Sequence, residues 1–205
     1  MRVRILAAVL PILLSACGPA PDTSKRTRAP DIYRVSFETT KGVFVVEVTR
    51  AWAPYGADRI YELLQDHFYD GARFFRVVPG FVAQFGIKGV PGKDLYWSQF
   101  TLPDDEVRQS NARGTVAFAM GGPATRTTQV FINLKDNTYL DSKRFAPFGK
   151  VISGMDVVDQ LFSGYGEGPP GGKGPDQSRI EQEGNDYLIR EFPELDYIKS
   201  AKIPS

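Results

Sequence analysis

Short apolar runs separated by turn residues recur along the chain from residue 32 onward. Tyr33, Val35 and Phe37 alternate with Arg34, Ser36 and Glu38, the period of two by which a strand buries one face. Thr39-Thr40-Lys41-Gly42 offers a turn. Phe44, Val46 and Val48 then resume on one face, with Val43 and Val45 on the other. The pattern predicts a hairpin over residues 31–48 whose second strand is buried on both faces. Runs at 73–78, 81–85, 115–119, 129–134 and 147–152 read as further strands, and 195–203 as a last one. Two segments have helical spacing instead. Ala57, Ile60, Tyr61 and Leu64 lie opposite Asp58, Arg59, Glu62 and Gln65 behind Pro54, and Met155, Val158, Leu161 and Phe162 form a second stripe. Ser178-x-x-Glu181 reads as a capping box opening a C-terminal helix that runs to about Arg190 before Pro193. This arrangement predicts a mainly β protein: a closed antiparallel β-barrel capped by two helices, plus a C-terminal helix.

The chain of 205 residues contains one cysteine and one histidine. That count excludes a disulfide framework and a zinc site built from Cys/His clusters. Any Ser-His-Asp or Cys-His machinery would have to use His67. Five basic groups (Arg2, Arg4, Lys25, Arg26, Arg28) and one acid, Asp22, fall within residues 1–30, leaving 20 basic and 23 acidic groups beyond them. A slightly acidic body argues against nucleic acid as the main partner.

The N-terminus reads as an address. Residues 1–4 are short and basic, 5–14 are apolar, and Ser15 and Ala16 are small, the layout of a secretory signal over residues 1–16. The apolar run is too short to span a membrane, which takes roughly 20 residues. Leu14-Ser15-Ala16-Cys17 resembles a bacterial lipobox, which implies that Cys17 becomes a lipidated N-terminus. Several acyl chains, at about 0.8 kcal/mol per buried methylene, would then anchor the protein stably. Gly18 after the cysteine, by the same resemblance, favours the outer membrane, facing the periplasm, of a two-membrane cell envelope. Residues 18–30 lack large apolar side chains and are rich in Pro, Ser and Thr. Residues 17–30 are therefore expected to be a lipidated cysteine and flexible tether, with the folded domain at 31–205.

Residues 164–176 include nine Gly or Pro and predict a loop. Gly166-x-Gly168-x-x-Gly171 within it has the spacing of a dinucleotide fingerprint. It follows a helix instead of a strand, however, and Pro169 and Pro170 lack the N–H donors that a pyrophosphate needs.

Two segments carry the chemistry. One runs Phe74-Phe75-Arg76-Val77-Val78-Pro79-Gly80-Phe81-Val82-Ala83-Gln84. The other begins Gly114-Thr115-Val116-Ala117-Phe118-Ala119-Met120 and continues through Gly122-Pro123 to Thr128-Gln129-Val130-Phe131-Ile132-Asn133. Alternation puts Phe74, Arg76 and Val78 on one face. A guanidinium in so apolar a strand is costly unless used or paired, so Arg76 alone reads either as functional or as half of a structural ion pair. Gln84 and Gln129, in otherwise apolar strands, are equally consistent with a pair of satisfied buried amides. With Tyr139-Leu140-Asp141 and Phe148-Gly149-Lys150-Val151, these blocks resemble the cyclophilin-type peptidyl-prolyl isomerases over residues 32–162.

The resemblance implies a cyclophilin-like barrel and catalysis of rotation about Xaa-Pro bonds. That reaction is non-covalent and takes neither metal nor cofactor. It assigns Arg76 as the donor to the prolyl nitrogen. Phe81, Val82, Phe131 and Leu140 would line the proline pocket, with Phe145 at its edge. Gln84 would hold a substrate carbonyl, and Ala119, Met120 and Gln129 would form the adjoining wall. Tyr139, also expected to bind substrate, stands where many eukaryotic members carry tryptophan. No role is carried onto residues 163–205. The expected partners are proline-containing polypeptides folding after export and, through the lipid, a membrane; the expected state is a monomer. A peptide-binding chaperone or adaptor with little turnover is the alternative, and an intact Arg76 favours the enzyme.

Overall fold

The structure, a computed structural model, describes residues 27–204. The signal segment, Cys17 and most of the expected tether lie outside the described residues. The end of the tether is not free: Ala29 is buried (1% exposed), its N–H bonds Asp58 at 2.9 Å, and Thr27 N–H reaches Glu62. Packing thus begins before residue 31, because one alanine methyl is small enough to seat against the first helix.

Eight strands form one antiparallel sheet: β1 (Ile32–Thr39), β2 (Gly42–Thr49), β3 (Arg76–Val78), β4 (Val82–Phe85), β5 (Thr115–Phe118), β6 (Val130–Asn133), β7 (Pro147–Ser153) and β8 (Ile198–Lys202). Their order in space is β3-β4-β6-β5-β7-β2-β1-β8. The β1–β2 hairpin is as the alternation predicts, and Phe37 stacks on Phe44 across it at 4.9 Å. The second strand differs: Phe44, Val46 and Val48 are buried, whereas Val43 is exposed and Val45 half-buried. The short helix α3 (Met155–Asp159) packs against this strand.

The sheet curls without closing. Register shifts between β5 and β7, and between β2 and β7, bend it. Its edges β3 and β8 do not pair along their length. The segments leading into them meet through a single bridge, Arg73 with Tyr197, flanked by backbone bonds between Phe74 and Asp196 and between Ile198 and Ala72. β3 itself ladders with β4, on its other side. The expected closed barrel is therefore a half-barrel wrapped around Val35, Phe37, Phe44, Phe85, Val116, Ile132 and Phe148. Phe85 fills the centre, edge-on to Phe37, Tyr69 and Phe74.

Helix α1 (Pro54–Gln65) closes the core as its apolar spacing predicts. Its N-cap, Ala53, has no side-chain acceptor. The carboxylate of Asp105 instead takes the N–H groups of Tyr55 and Gly56 from across the fold. Helix α2 (Pro91–Ser98), which the apolar pattern does not announce, is mostly exposed. The expected C-terminal helix is broken into α4 (Gln177–Glu183) and α5 (Asn185–Glu191) at Gly184, whose φ of 73° a helix cannot contain. Its N-cap is Asp176, which accepts from Ser178 and Arg179; the Ser178/Glu181 capping box does not form. This segment builds a second cluster, Phe75, Ile87, Ile180, Tyr187, Leu188 and Leu195, behind β3.

Candidate active site

The site begins as one row across four strands. Arg76 pairs with Gln84, Gln84 with Phe131, and Phe131 with Ala117. Partners directly opposite in adjacent strands share a face, so the row grades from charged to apolar along the outer side of the sheet. Ala83, Phe85, Val130 and Ile132 point the other way, into the core. Phe74 does not share the face of Arg76. Regular pairing starts only at Arg76, so Phe74 and Val77 both enter the main core and Phe75 enters the second cluster.

At the apolar end, Val82, Ala117, Phe131 and Leu140 form a separate cluster against Phe81, Ala119 and Phe145. Leu140 arrives on a 3-10 turn, Thr138–Leu140. The ring of Phe145 stands edge-on to Phe131 at 5.6 Å. A buried amide network fixes these walls from below. Asn137 donates to the carbonyl of Phe81 and to Asn133, and Asn133 donates to Asn111 and to Thr115. Asn111 donates to the Asp141 carboxylate and to the carbonyl of Phe145, both at 2.8 Å. Burial pushes the Asp141 carboxyl up, but hydrogen bonds from Ser110 and Asn111 outweigh it and hold the group below its ordinary range.

At the polar end, Arg76 Nη1 donates to Gln84 Oε1 (3.0 Å), and Gln84 Nε2 donates to Gln129 Oε1 (2.9 Å). The guanidinium lies 5.3 Å from the ring centre of Phe81. Its other edge meets a residue outside every expected block: Nε and Nη2 donate to the two carboxylate oxygens of Glu167 at 2.5 and 2.7 Å. These hydrogen bonds, with the charge of Arg76, hold the Glu167 carboxyl below its ordinary range against the opposing effect of partial burial. Three of the five N–H donors of a guanidinium are taken in this way. Among the described residues the remaining two have no protein acceptor. Arg76 is thus an ion-pair partner, Gln84 and Gln129 are paired amides, and all three line a cavity.

That cavity, about 450 Å³, is open on one side. Arg76, Phe81, Val82, Gln84, Ala119, Met120, Gln129, Phe131, Leu140 and Phe145 all line it. Tyr139 does not: it is 50% exposed and stacks on Phe81, with Lys143 over its own ring. The sequence blocks left out Gly121, Thr125, Thr127, Glu167 and Gln177, which also line the cavity. The first three follow Met120 or precede Gln129 in chain order. For Glu167 and Gln177 no local pattern gives notice.

The site is an apolar slot with amide and guanidinium groups along one rim. Residues 34–182 match the family described as Cyclophilin type peptidyl-prolyl cis-trans isomerase/CLD, and the chain belongs to that family. A peptidyl-prolyl cis-trans isomerase of Acinetobacter baylyi is 35% identical over 132 residues, covering 62% of this chain and 70% of the relative. Peptidyl-prolyl cis-trans isomerase A of Dickeya dadantii is 32% identical over 167 residues, covering 78% and 85%. The crystal structure of a cyclophilin type isomerase from Cryptosporidium parvum superposes with a TM-score of 0.62 at 20% identity, over 85% of this chain and 98% of that one. A second structure of that protein, in the presence of the dipeptide Ala-Pro, gives 0.60. The chain is a peptidyl-prolyl cis-trans isomerase of the cyclophilin type.

Proposed function

We propose that the cavity is where the Xaa-Pro bond rotates, with Arg76 as the donor to the prolyl nitrogen. The barrier, roughly 18–20 kcal/mol, is amide resonance. As the bond twists, the nitrogen loses conjugation and gains a lone pair. A guanidinium N–H aimed at that lone pair attracts the twisted state more than the planar one, and only such a difference accelerates the step. The proline ring would sit among Phe81, Val82, Phe131 and Leu140, with Phe145 at the edge. Gln84 would hold a substrate carbonyl. Ala119, Met120 and Gln129 would bound the neighbouring residues. Tyr139, exposed and stacked on Phe81, would meet the peptide outside the cavity. The observation that carries this reading is the pair of N–H groups left on Arg76 beside an apolar slot in the same cavity.

The test is an isomerisation assay on a short Xaa-Pro peptide. Arg76→Ala is expected to lower kcat/KM about a hundredfold, the scale of losing one oriented donor, while the fold persists. Equal activity of the two proteins would defeat the assignment, and peptide binding without turnover would favour the chaperone reading.

We further propose that the protein acts in the cell envelope on proline-containing chains folding after export, anchored through a lipidated Cys17 at the outer membrane. The support is the signal-like layout of residues 1–16 and the Leu-Ser-Ala-Cys run. Mass spectrometry of the mature protein is expected to find acyl groups on Cys17 as the N-terminal residue; an unmodified cysteine would end that reading.

A further inference from the structure

We propose that Glu167 is a positioning residue for the isomerase reaction: it clamps the Arg76 guanidinium in the orientation that presents its two remaining N–H groups to the cavity. This rests on the role given to Arg76 above. An arginine side chain has about 2 kcal/mol of rotamer entropy, and Arg76 stands on a three-residue edge strand with only Gln84 and the face of Phe81 beside it from the sheet. One hydrogen bond, at Nη1, leaves the plane of the guanidinium free to swing about it. A two-pronged carboxylate on Nε and Nη2 fixes that plane.

The loop that carries Glu167 is built as a strut, not as a lid. Gly174 N–H donates to the Glu167 carbonyl at 2.8 Å, and Gly168 N–H steadies the carboxylate at 3.2 Å. A Cβ on Gly172 would stand 2.2 Å from the Glu167 carbonyl oxygen and one on Gly174 2.9 Å from it, so the backbone closes around residue 167 in a way only glycine permits. Tyr165, two residues earlier, is locked edge-on between Phe162 and Phe192 and packs on the second hydrophobic cluster. The C-terminal segment has its own core, and it reaches the cavity through Gln177 and through this carboxylate. With its side chain 41% exposed at the cavity mouth and that of Arg76 19%, the pair is wet enough to persist as an ion pair. It is also buried enough to hold direction.

The experiment measures kcat and KM separately on an Xaa-Pro tetrapeptide by exchange spectroscopy, alongside the Arg76 Nε proton signal. Glu167→Ala is expected to lower kcat about tenfold with KM within about twofold, because misorientation weakens the transition state more than the ground state. The Nε signal should move upfield and exchange faster with water. Glu167→Gln, which keeps the shape and one acceptor, should fall between Glu167→Ala and the parent, and its urea midpoint checks that the loop is intact. In the Arg76→Ala background, Glu167→Ala should cost nothing further. A Glu167→Ala protein as fast as the parent, or faster, overturns the clamp; the faster result would mark the carboxylate as a brake. If Arg76→Ala itself leaves kcat unchanged, the assignment of Arg76 fails first, and the two failures are told apart.

Discussion

At the scale of single residues, the site is a set of polar groups that each have a structural partner and still face a cavity. Arg76, Gln84 and Gln129 are joined in one line, so neither the structural nor the functional reading of each displaces the other. The same economy holds beneath the slot, where Asn111 is wholly buried and bonded to Asp141, Asn133 and the Phe145 carbonyl. Asn111→Ala is expected to cost about 2–3 kcal/mol, the desolvation penalty of the groups it strands, and to raise KM by loosening Phe145 and the turn bearing Leu140. Urea denaturation and peptide titration check the two effects. The expected lining residues were legible through the motif blocks that carry the resemblance; of them, Arg76, Val82, Gln84 and Phe131 lie on strands, where the period of two also declares which side chains share a face. Tyr139 and Leu140 share a 3-10 turn and of the two Leu140 lines the cavity, a difference that strand alternation cannot foretell.

At the scale of elements, long-range contacts replace local signals at several ends. Helix α1 starts where Pro54 says it should, but its first N–H groups are met by Asp105, some fifty residues away. Asp105 also pairs with the buried Arg126 at 3.1 Å. Asp105→Ala is therefore expected to cost about 3 kcal/mol, because it uncaps a helix and leaves a buried cation without its main partner. Thermal unfolding monitored by circular dichroism reads the loss. The break at Gly184 and the appearance of α2 have the same origin. Gly184 lies against the carbonyl of Gly89, and a Cβ there would come within 2.7 Å of it, so contact between α2 and α4 decides where the helix stops.

At the scale of the whole molecule, the carboxylates fall into two sets with opposite linkage. Burial pushes Asp94 up, and burial together with the charge of Asp94 pushes Glu181 up. Their protonation favours the folded state, so stability rises as pH falls towards their range. Asp141 and Glu167 are held down by hydrogen bonds, as is Asp66, whose bonds from Lys93 and Trp97 outweigh its burial. Their contribution is present above the ordinary carboxylate range and is lost as pH falls through their lowered values, below about 4. The urea midpoint is expected to pass through a maximum on the mildly acid side of neutrality and to fall steeply below pH ~4. Glu167→Gln should flatten the acid limb, and an unchanged limb would remove Glu167 from the set. Periodicity in the sequence determined the strands and the first helix, and the ordered blocks between Phe74 and Val151 carried the resemblance that implied the family and the cavity walls. Only the tertiary structure decided that the barrel stays open, that Ala29 packs onto α1, and that a carboxylate from a Gly/Pro loop grips Arg76. The physical reason is distance along the chain: residues 76 and 167 meet because two hydrophobic clusters dock, and no local pattern records which distant surfaces will be buried together.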